Sequence, residues 1–141
     1  RLGWTSSPTK EWMFTTDHDL EEKDAWFLTI EADRGTRTVS SFRMSLTSRI
    51  PKDVMDEAVP IAERAFDAYV EALTAIYGQG KRGKRKQHAS MTWTLPSDAS
   101  VRIGTVSWLI SISITSPAGN EAARGEAQYF DEIADENDPA R

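Results

Sequence analysis

The chain has 141 residues, no cysteine and a formal net charge of −5. This length is typical of one domain, and the absence of cysteine excludes disulfides and cysteine-ligated metal sites. No apolar run reaches the roughly 18 to 20 residues that a membrane-spanning helix requires.

Charge is distributed unevenly along the chain. Residues 1–77 contain 9 basic and 14 acidic side chains, residues 78–116 contain 6 and 1, and residues 117–141 contain 2 and 7. A net-acidic chain is repelled from nucleic acid and anionic lipid at long range, so binding to either would require a local basic patch. The segment from Gly78 to His88 is the obvious candidate.

The N-terminal region offers little regular pattern. Residues 1–10 are predicted to form an irregular lead, and residues 11–15 a short edge strand. The acidic segment around His18 has side chains of metal-ligand type, but consecutive loop residues seldom converge on one ion. We therefore predict a charged connection there and no metal site.

Two alternating segments predict a β-hairpin. Trp26, Leu28 and Ile30 alternate with outward-facing Phe27, Thr29 and Glu31, and Phe42, Met44 and Leu46 alternate with polar residues. A three-residue loop ending at Gly35 would place both apolar sets on one face of the sheet. The predicted pairs are Ile30–Thr38, Leu28–Ser40 and Trp26–Phe42.

A helical period of apolar residues replaces the alternation from Pro51 to Tyr77. Pro51 suits the first helical turn, and Gly78 suits the position just past the end. Pro60 lies inside and is expected to kink the helix or split it in two.

Residues 78–88 are predicted to form an exposed basic loop after this helix. Gly78, Gly80 and Gly83 have the spacing of a dinucleotide motif, but they leave a helix and enter a strand, which is the reverse of that motif's setting. We therefore expect no cofactor. The candidate anion-binding residues are Lys81, Arg82, Lys84, Arg85, Lys86 and His88, and an anionic polymer or a lipid surface would be their partner.

The remaining chain predicts two more strands and a helix. A strand around Met91–Leu95 precedes a long strand from Val101 to Thr115, whose apolar residues change parity at Gly104–Thr105, as a β-bulge would allow. The final strand outruns its partner, which suggests a homodimer through an exposed edge. Residues 120–136 fit a helix, and residues 137–141 a frayed tail.

These elements predict a single α+β domain over residues 1–141. It would be a two-layer sandwich, with a mainly antiparallel sheet of four to five strands in β-β-α-β-β order packed on one long helix, followed by a C-terminal helix. Trp26, Trp93 and Trp108 have the inward parity of their strands and are expected in the core.

The favoured function is a non-catalytic binding or interaction module. The two histidines lie in charged segments and no nucleophile motif occurs, so we assign no catalytic residue and do not favour an enzyme. The candidate partner-contact residues are Trp4, Trp12, Arg37 and Arg43, since exposed aromatic and arginine side chains dominate such contacts.

Three interpretations stay open from the sequence. The start at Arg1 and the hydroxyl-rich strands slightly favour an exported or membrane-anchored protein. The first alternative is a cytoplasmic nucleic-acid-binding protein that uses the basic loop. The second is a small enzyme with a pocket between helix and sheet that includes Tyr69 or Arg43.

Overall fold

The computed structural model describes residues 3–20, 23–32, 35–85, 88–106 and 109–136. These residues confirm the α+β class, but the sheet has eight strands rather than the four to five predicted. The strands are β1 (Thr5–Ser6), β2 (Met13–Thr15), β3 (Asp24–Ala32), β4 (Thr36–Ser45), β5 (Lys81–Arg85), β6 (His88–Thr94), β7 (Ser100–Val106) and β8 (Leu109–Thr115). The helices are a 3₁₀ turn (Lys52–Val54), α1 (Met55–Tyr77) and α2 (Pro117–Glu136).

All neighbouring strands are antiparallel, in the order β1-β2-β3-β4-β8-β7-β6-β5. Two four-stranded meanders, one before α1 and one after it, join through the pairing of β4 with β8. Strand β8 is therefore central. The predicted homodimer edge at this strand is wrong, because both sides of β8 are already paired within the chain.

The predicted long strand with a bulge at Gly104–Thr105 is also wrong. Residues 100–115 form the hairpin β7–β8, in which Val101 faces Ile114 and Ile103 faces Ile112. Because β7 and β8 run antiparallel, Val101, Ile103, Ile110, Ile112 and Ile114 share one face without any bulge. The change of parity in the sequence reflects the division of this segment into two antiparallel strands.

The β3–β4 hairpin agrees with prediction near its turn and departs from it farther along. Gly35 has a φ of +74°, and Ile30 pairs with Thr38 as expected. The register then shifts between Leu28 and Thr29. The resulting pairs are Leu28–Ser41, Phe27–Phe42 and Trp26–Arg43, so the predicted Leu28–Ser40 and Trp26–Phe42 pairs are wrong.

Helix α1 packs on one face of the sheet, chiefly against β7 and β8. We call this side the α1 face and the other side the opposite face. The core between helix and sheet is formed by Phe66, Trp93, Val101, Ile103 and Ile110. The helix is one continuous segment through Pro60, so the predicted split does not occur.

The three tryptophans expected in the core have different outcomes. Trp93 is buried, and its indole nitrogen donates to the carbonyl oxygen of Gly78 at 3.1 Å. Trp26 is half-buried and, because it pairs with Arg43, lies on the opposite face. Trp108 and the tail at 137–141 lie outside the described residues.

Candidate functional site

A cleft lies at the end of the sheet that α1 does not cover. It has a volume of about 600 Å³. We call it the aromatic cleft. Its lining residues are Glu11, Trp12, Phe14, Phe27, Leu28, Thr29, Arg37 and Val39.

Contacts between aromatic rings hold the floor of the cleft in place. Phe14 meets Phe27 edge to face, with ring centroids 5.3 Å apart, and Phe27 contacts Phe42 at 5.0 Å. Trp4 stacks on Phe42, at 5.6 Å and an interplanar angle of 12°. Such pairs contribute about 0.5–1.5 kcal/mol each beyond the area they bury, so this aromatic series is a rigid support.

The walls of the cleft are apolar and exposed to solvent. Trp12 and Val39 are each 45% exposed. Leu28 also lines the cleft, but it pairs with Ser41 and so directs its side chain to the opposite face. The ammonium group of Lys10 lies 5.3 Å from the centroid of the Trp12 ring, which is within the range of a cation–π contact. Single exposed apolar residues are ordinary on protein surfaces, but a contiguous group marks an interaction site.

Charges around the cleft are balanced. Glu11 and Arg37 line it, Lys10 lies over Trp12, and Glu31 stands directly opposite Arg37 in the β3–β4 ladder. Two acidic and two basic groups therefore surround an apolar floor. Any affinity of this cleft would depend on apolar burial more than on net charge.

The structure brings together two of the four predicted partner-contact residues. Trp12 and Arg37 both line the aromatic cleft. Trp4 lies near it, stacked on Phe42. Arg43 lies on the opposite face, where it lines a smaller cavity of about 260 Å³.

The predicted basic loop contains a β-strand. Residues Lys81–Arg85 form β5, which pairs with β6 in a hairpin at the edge of the sheet. Alternation along β5 places Lys81 and Arg82 on opposite faces, and Arg82 forms an ion pair with Asp67 of α1 at 3.2 Å. The segment is therefore not one uniform cationic surface.

The other predicted anion-binding residues do not all fall within the described part of the chain. His88 lines the smaller cavity, and its Nδ1 lies 2.9 Å from the carbonyl oxygen of Thr105. Lys86 lies outside the described residues, and so do the side chains of Lys84 and Arg85.

Tyr69 and Arg43, suggested for an enzymatic pocket, lie on opposite sides of the sheet. The Tyr69 hydroxyl donates to the carbonyl oxygen of Leu46 at 3.1 Å, on the side of α1. The space between helix and sheet is occupied by Phe66 and Trp93, which are buried. Sequence reasoning therefore placed this pocket where the structure has packed core.

No helix in the described part of the chain is long and apolar enough to span a membrane. The same residues contain no group of three or more side chains of the His, Cys, Asp or Glu type that could hold a metal ion.

Sequence reasoning missed four apolar residues of the cleft, namely Phe14, Phe27, Leu28 and Val39. Phe27 was assigned to the outward face of its strand because it alternates with Trp26 and Leu28. The register shift between Leu28 and Thr29 pairs Phe27 with Phe42. A run of apolar residues at both parities of β3 was the available signal, since it is compatible with apolar surface on both faces.

The DUF6301 family, described as a family of unknown function, matches residues 1–116. Comparison with curated proteins and with solved structures found no match. The matched part ends one residue before α2 begins at Pro117, so it contains the whole sheet, α1 and every lining residue of the aromatic cleft.

Proposed function

Because the chain belongs to the DUF6301 family, whose function is unknown, we propose its role from the geometry of its surface. The protein is a non-catalytic binding module whose aromatic cleft holds an apolar side chain of a partner protein. The observation that carries this proposal is the exposure of Trp12 and Val39, which line one cleft together with the phenylalanine rings of its floor.

The energetic argument starts from the exposed apolar surface. Removing such surface from water stabilises a complex by roughly 25 cal/mol per Å², before the costs of association are subtracted. The floor is already held by the Phe14–Phe27 and Phe27–Phe42 contacts. Because the floor is already ordered, little of this gain would be lost to rearrangement of the cleft on binding.

A protein partner is favoured over a small molecule by the shape and residue types of the cleft. Its walls are open to solvent, whereas small ligands usually occupy sites that enclose most of their surface. Tryptophan and arginine are the side chains most often found at the energetic centre of protein interfaces. Trp12 would pack against the partner's apolar side chain, and Arg37 would donate hydrogen bonds to a neighbouring carbonyl or carboxylate.

The chemistry of the lining supports binding without catalysis. Among the described lining residues, Glu11 and Arg37 are the titratable ones, and no histidine or second carboxylate accompanies them. General acid–base or nucleophilic catalysis requires a second group within hydrogen-bond reach. An exported or membrane-anchored setting for this module stays a prediction from the sequence.

Selection from a display library of random peptides tests the proposal. The purified wild-type protein is the target, and each enriched peptide is then assayed for binding to the wild type and to the Trp12→Ala variant. We expect the enriched peptides to share an aromatic or large aliphatic anchor residue. If every enriched peptide binds the wild type and Trp12→Ala equally, the cleft is not the binding site and the proposal is wrong.

The matched control is Ile76→Ala. Ile76 is 69% exposed and lies on α1, away from the cleft, so this change removes a similar apolar surface from another location. Peptides that bind through the aromatic cleft should retain their affinity for this variant. Equal losses for Trp12→Ala and Ile76→Ala would indicate nonspecific hydrophobic adhesion and would reject the cleft.

Nucleic-acid binding by the basic segment has weaker support. Lys81 and Arg82 point to opposite faces of the sheet, and Arg82 is paired with Asp67. A groove that binds the phosphate backbone of a single-stranded nucleic acid needs cations on one surface, preferably beside exposed aromatic rings. We therefore keep this function as the alternative, to be tested by the salt dependence of binding to single-stranded RNA and DNA.

A further inference from the structure

Two arginines of the opposite face lie on either side of one serine. Arg43 of β4 and Arg102 of β7 are both direct cross-strand partners of Ser113 in β8. Directly paired residues point to the same side of a sheet, so the two guanidinium groups stand on one face. Their backbones are two strand spacings apart, roughly 10 Å, a gap that two arginine side chains can span between them.

These arginines line the smaller cavity, whose volume is about 260 Å³. The remaining lining residues are His88, Ala89, Gly104, Thr105, Ser111 and Ser113. Since a water molecule takes about 30 Å³ in the liquid, the cavity has room for roughly eight of them. That space is enough for a tetrahedral oxyanion with a small attached group.

Donors predominate around this cavity. Both arginines are exposed, and within the described part of the chain neither forms an ion pair. Among the described residues that line it, none is acidic. Ser113 lies between the two arginines, Ser111 lies two residues along β8 on the same face, and Gly104 leaves the floor open because it has no side chain.

The imidazole of His88 is held in a defined orientation at the cavity wall. Its Nδ1 lies 2.9 Å from the carbonyl oxygen of Thr105. A carbonyl oxygen only accepts hydrogen bonds, so Nδ1 is the donor. Thr105 is itself fixed, because its hydroxyl accepts a hydrogen bond from the backbone N–H of Ala89 at 3.0 Å.

We propose that this cavity is a binding site for a phosphate group. The planar guanidinium groups of Arg43 and Arg102 present paired donors that match the oxygen spacing of a phosphate. The hydroxyl of Ser113 lies between them and donates to a third oxygen. This site is on the other side of the sheet from the aromatic cleft, so it stands or falls independently of the function proposed above.

A soluble phosphate monoester and the headgroup of an anionic lipid would present the same chemistry. The test therefore has two arms. In the first, isotope-labelled protein is titrated with inorganic phosphate and with O-phosphoserine at constant ionic strength, and backbone amide shifts are followed by NMR. In the second, sedimentation is measured with phosphatidylcholine vesicles that contain or lack phosphatidic acid.

The first arm should give saturable shifts that centre on Ser111, Ser113 and Gly104. Arg43→Gln and Arg102→Gln should each weaken phosphate binding about tenfold or more, because each removes a charged donor pair. Arg43→Lys keeps the charge but loses the paired geometry, so it should bind with intermediate affinity. Binding in the vesicle arm alone would assign the phosphate to a lipid headgroup.

Arg82→Gln is the matched control, since Arg82 is an exposed arginine on the other face and is ion-paired with Asp67. It should leave phosphate binding unchanged. Far-ultraviolet circular dichroism of every variant checks that the fold is retained. The proposal is overturned if phosphate in sulfate-free buffer shifts no amide signal in the cavity and no variant changes vesicle binding. It is also overturned if Arg82→Gln weakens phosphate binding as much as Arg102→Gln does.

Discussion

Trp12 and Arg37 line the same cleft although the whole of β3 lies between them in the sheet. Trp12 directly precedes β2, and Arg37 lies in β4. Their meeting depends on the register of two hairpins and on α1 covering only the far half of the sheet. The candidate site is thus a product of sheet topology, and its aromatic floor is part of the same layer as the core.

The first prediction concerns the packing of α1 in the hydrophobic core. Phe66 is 3% exposed and packs in the cluster with Trp93, so Phe66→Ala should lower the free energy of unfolding by about 3–5 kcal/mol. Ile61→Ala, on the same helix but 59% exposed, should change it by less than about 0.5 kcal/mol. Urea unfolding of both variants checks this difference, and similar losses would contradict the assigned orientation of α1.

Two glycines of α2 provide a second matched pair. A Cβ at Gly119 would collide with the carbonyl oxygen of Ser40, whereas a Cβ at Gly125 would meet no atom within 4 Å. Gly119→Ala should therefore destabilise the protein by about 1–3 kcal/mol, and Gly125→Ala should stabilise it by about 0.5–1 kcal/mol. Thermal unfolding of the two variants measures the opposite signs. Stabilisation by Gly119→Ala would show that α2 does not approach β4 so closely.

A third prediction concerns pH and the attachment of α2. The guanidinium of Arg124 donates a hydrogen bond to the Asp98 carboxylate at 2.7 Å, and this bond lowers the pKa of Asp98 below its ordinary value of 3.8. Since the folded pKa is depressed, the stabilisation is present above pH 3.8 and is lost as the pH falls through the folded pKa. Arg124→Gln should move the NMR titration midpoint of Asp98 up toward 3.8.

Asp98→Asn removes the side-chain charge at this position but is compatible with the same backbone conformation. Asp98 has a φ of +66°, a conformation that asparagine also tolerates. The variant should therefore keep the turn after β6 while losing the acid-dependent part of the stability. If wild type and Asp98→Asn lose the same free energy of unfolding below pH 3.8, the ion pair between Asp98 and Arg124 does not stabilise the packing of α2.

The strongly periodic parts of the fold could be predicted from the sequence. The stripe of apolar residues predicted the ends of α1 to within a few residues, and the alternation of apolar residues predicted strands β3, β4 and β6. The pairing of β7 with β8 could not be predicted, because the sequence between the two strands is Ser107-Trp108, and neither residue type indicates a turn. The strand β5 was hidden for a related reason, since glycine and lysine are depleted in strands and are tolerated mainly at an edge.

The candidate site was predictable only in part. Trp12 and Arg37 could be selected by residue type, but their proximity follows from pairings distant in sequence. The register shift next to Leu28 reversed the expected face of Phe27, and no residue type in that segment predicts a register shift. Arg102 was not selected at all, because its proposed role depends on sharing Ser113 with Arg43 across β8.

The most direct test of the binding proposal is the dissociation constant of one selected peptide for three proteins, measured by isothermal titration calorimetry. The three are the wild type, Trp12→Ala and Ile76→Ala, each measured at a temperature at which all three proteins are fully folded. We predict that Trp12→Ala weakens binding about 30-fold or more, as expected when a residue contributing at least about 2 kcal/mol at an interface is removed, and that Ile76→Ala has no effect. Equal affinity for all three proteins would contradict the assignment of the aromatic cleft as the binding site.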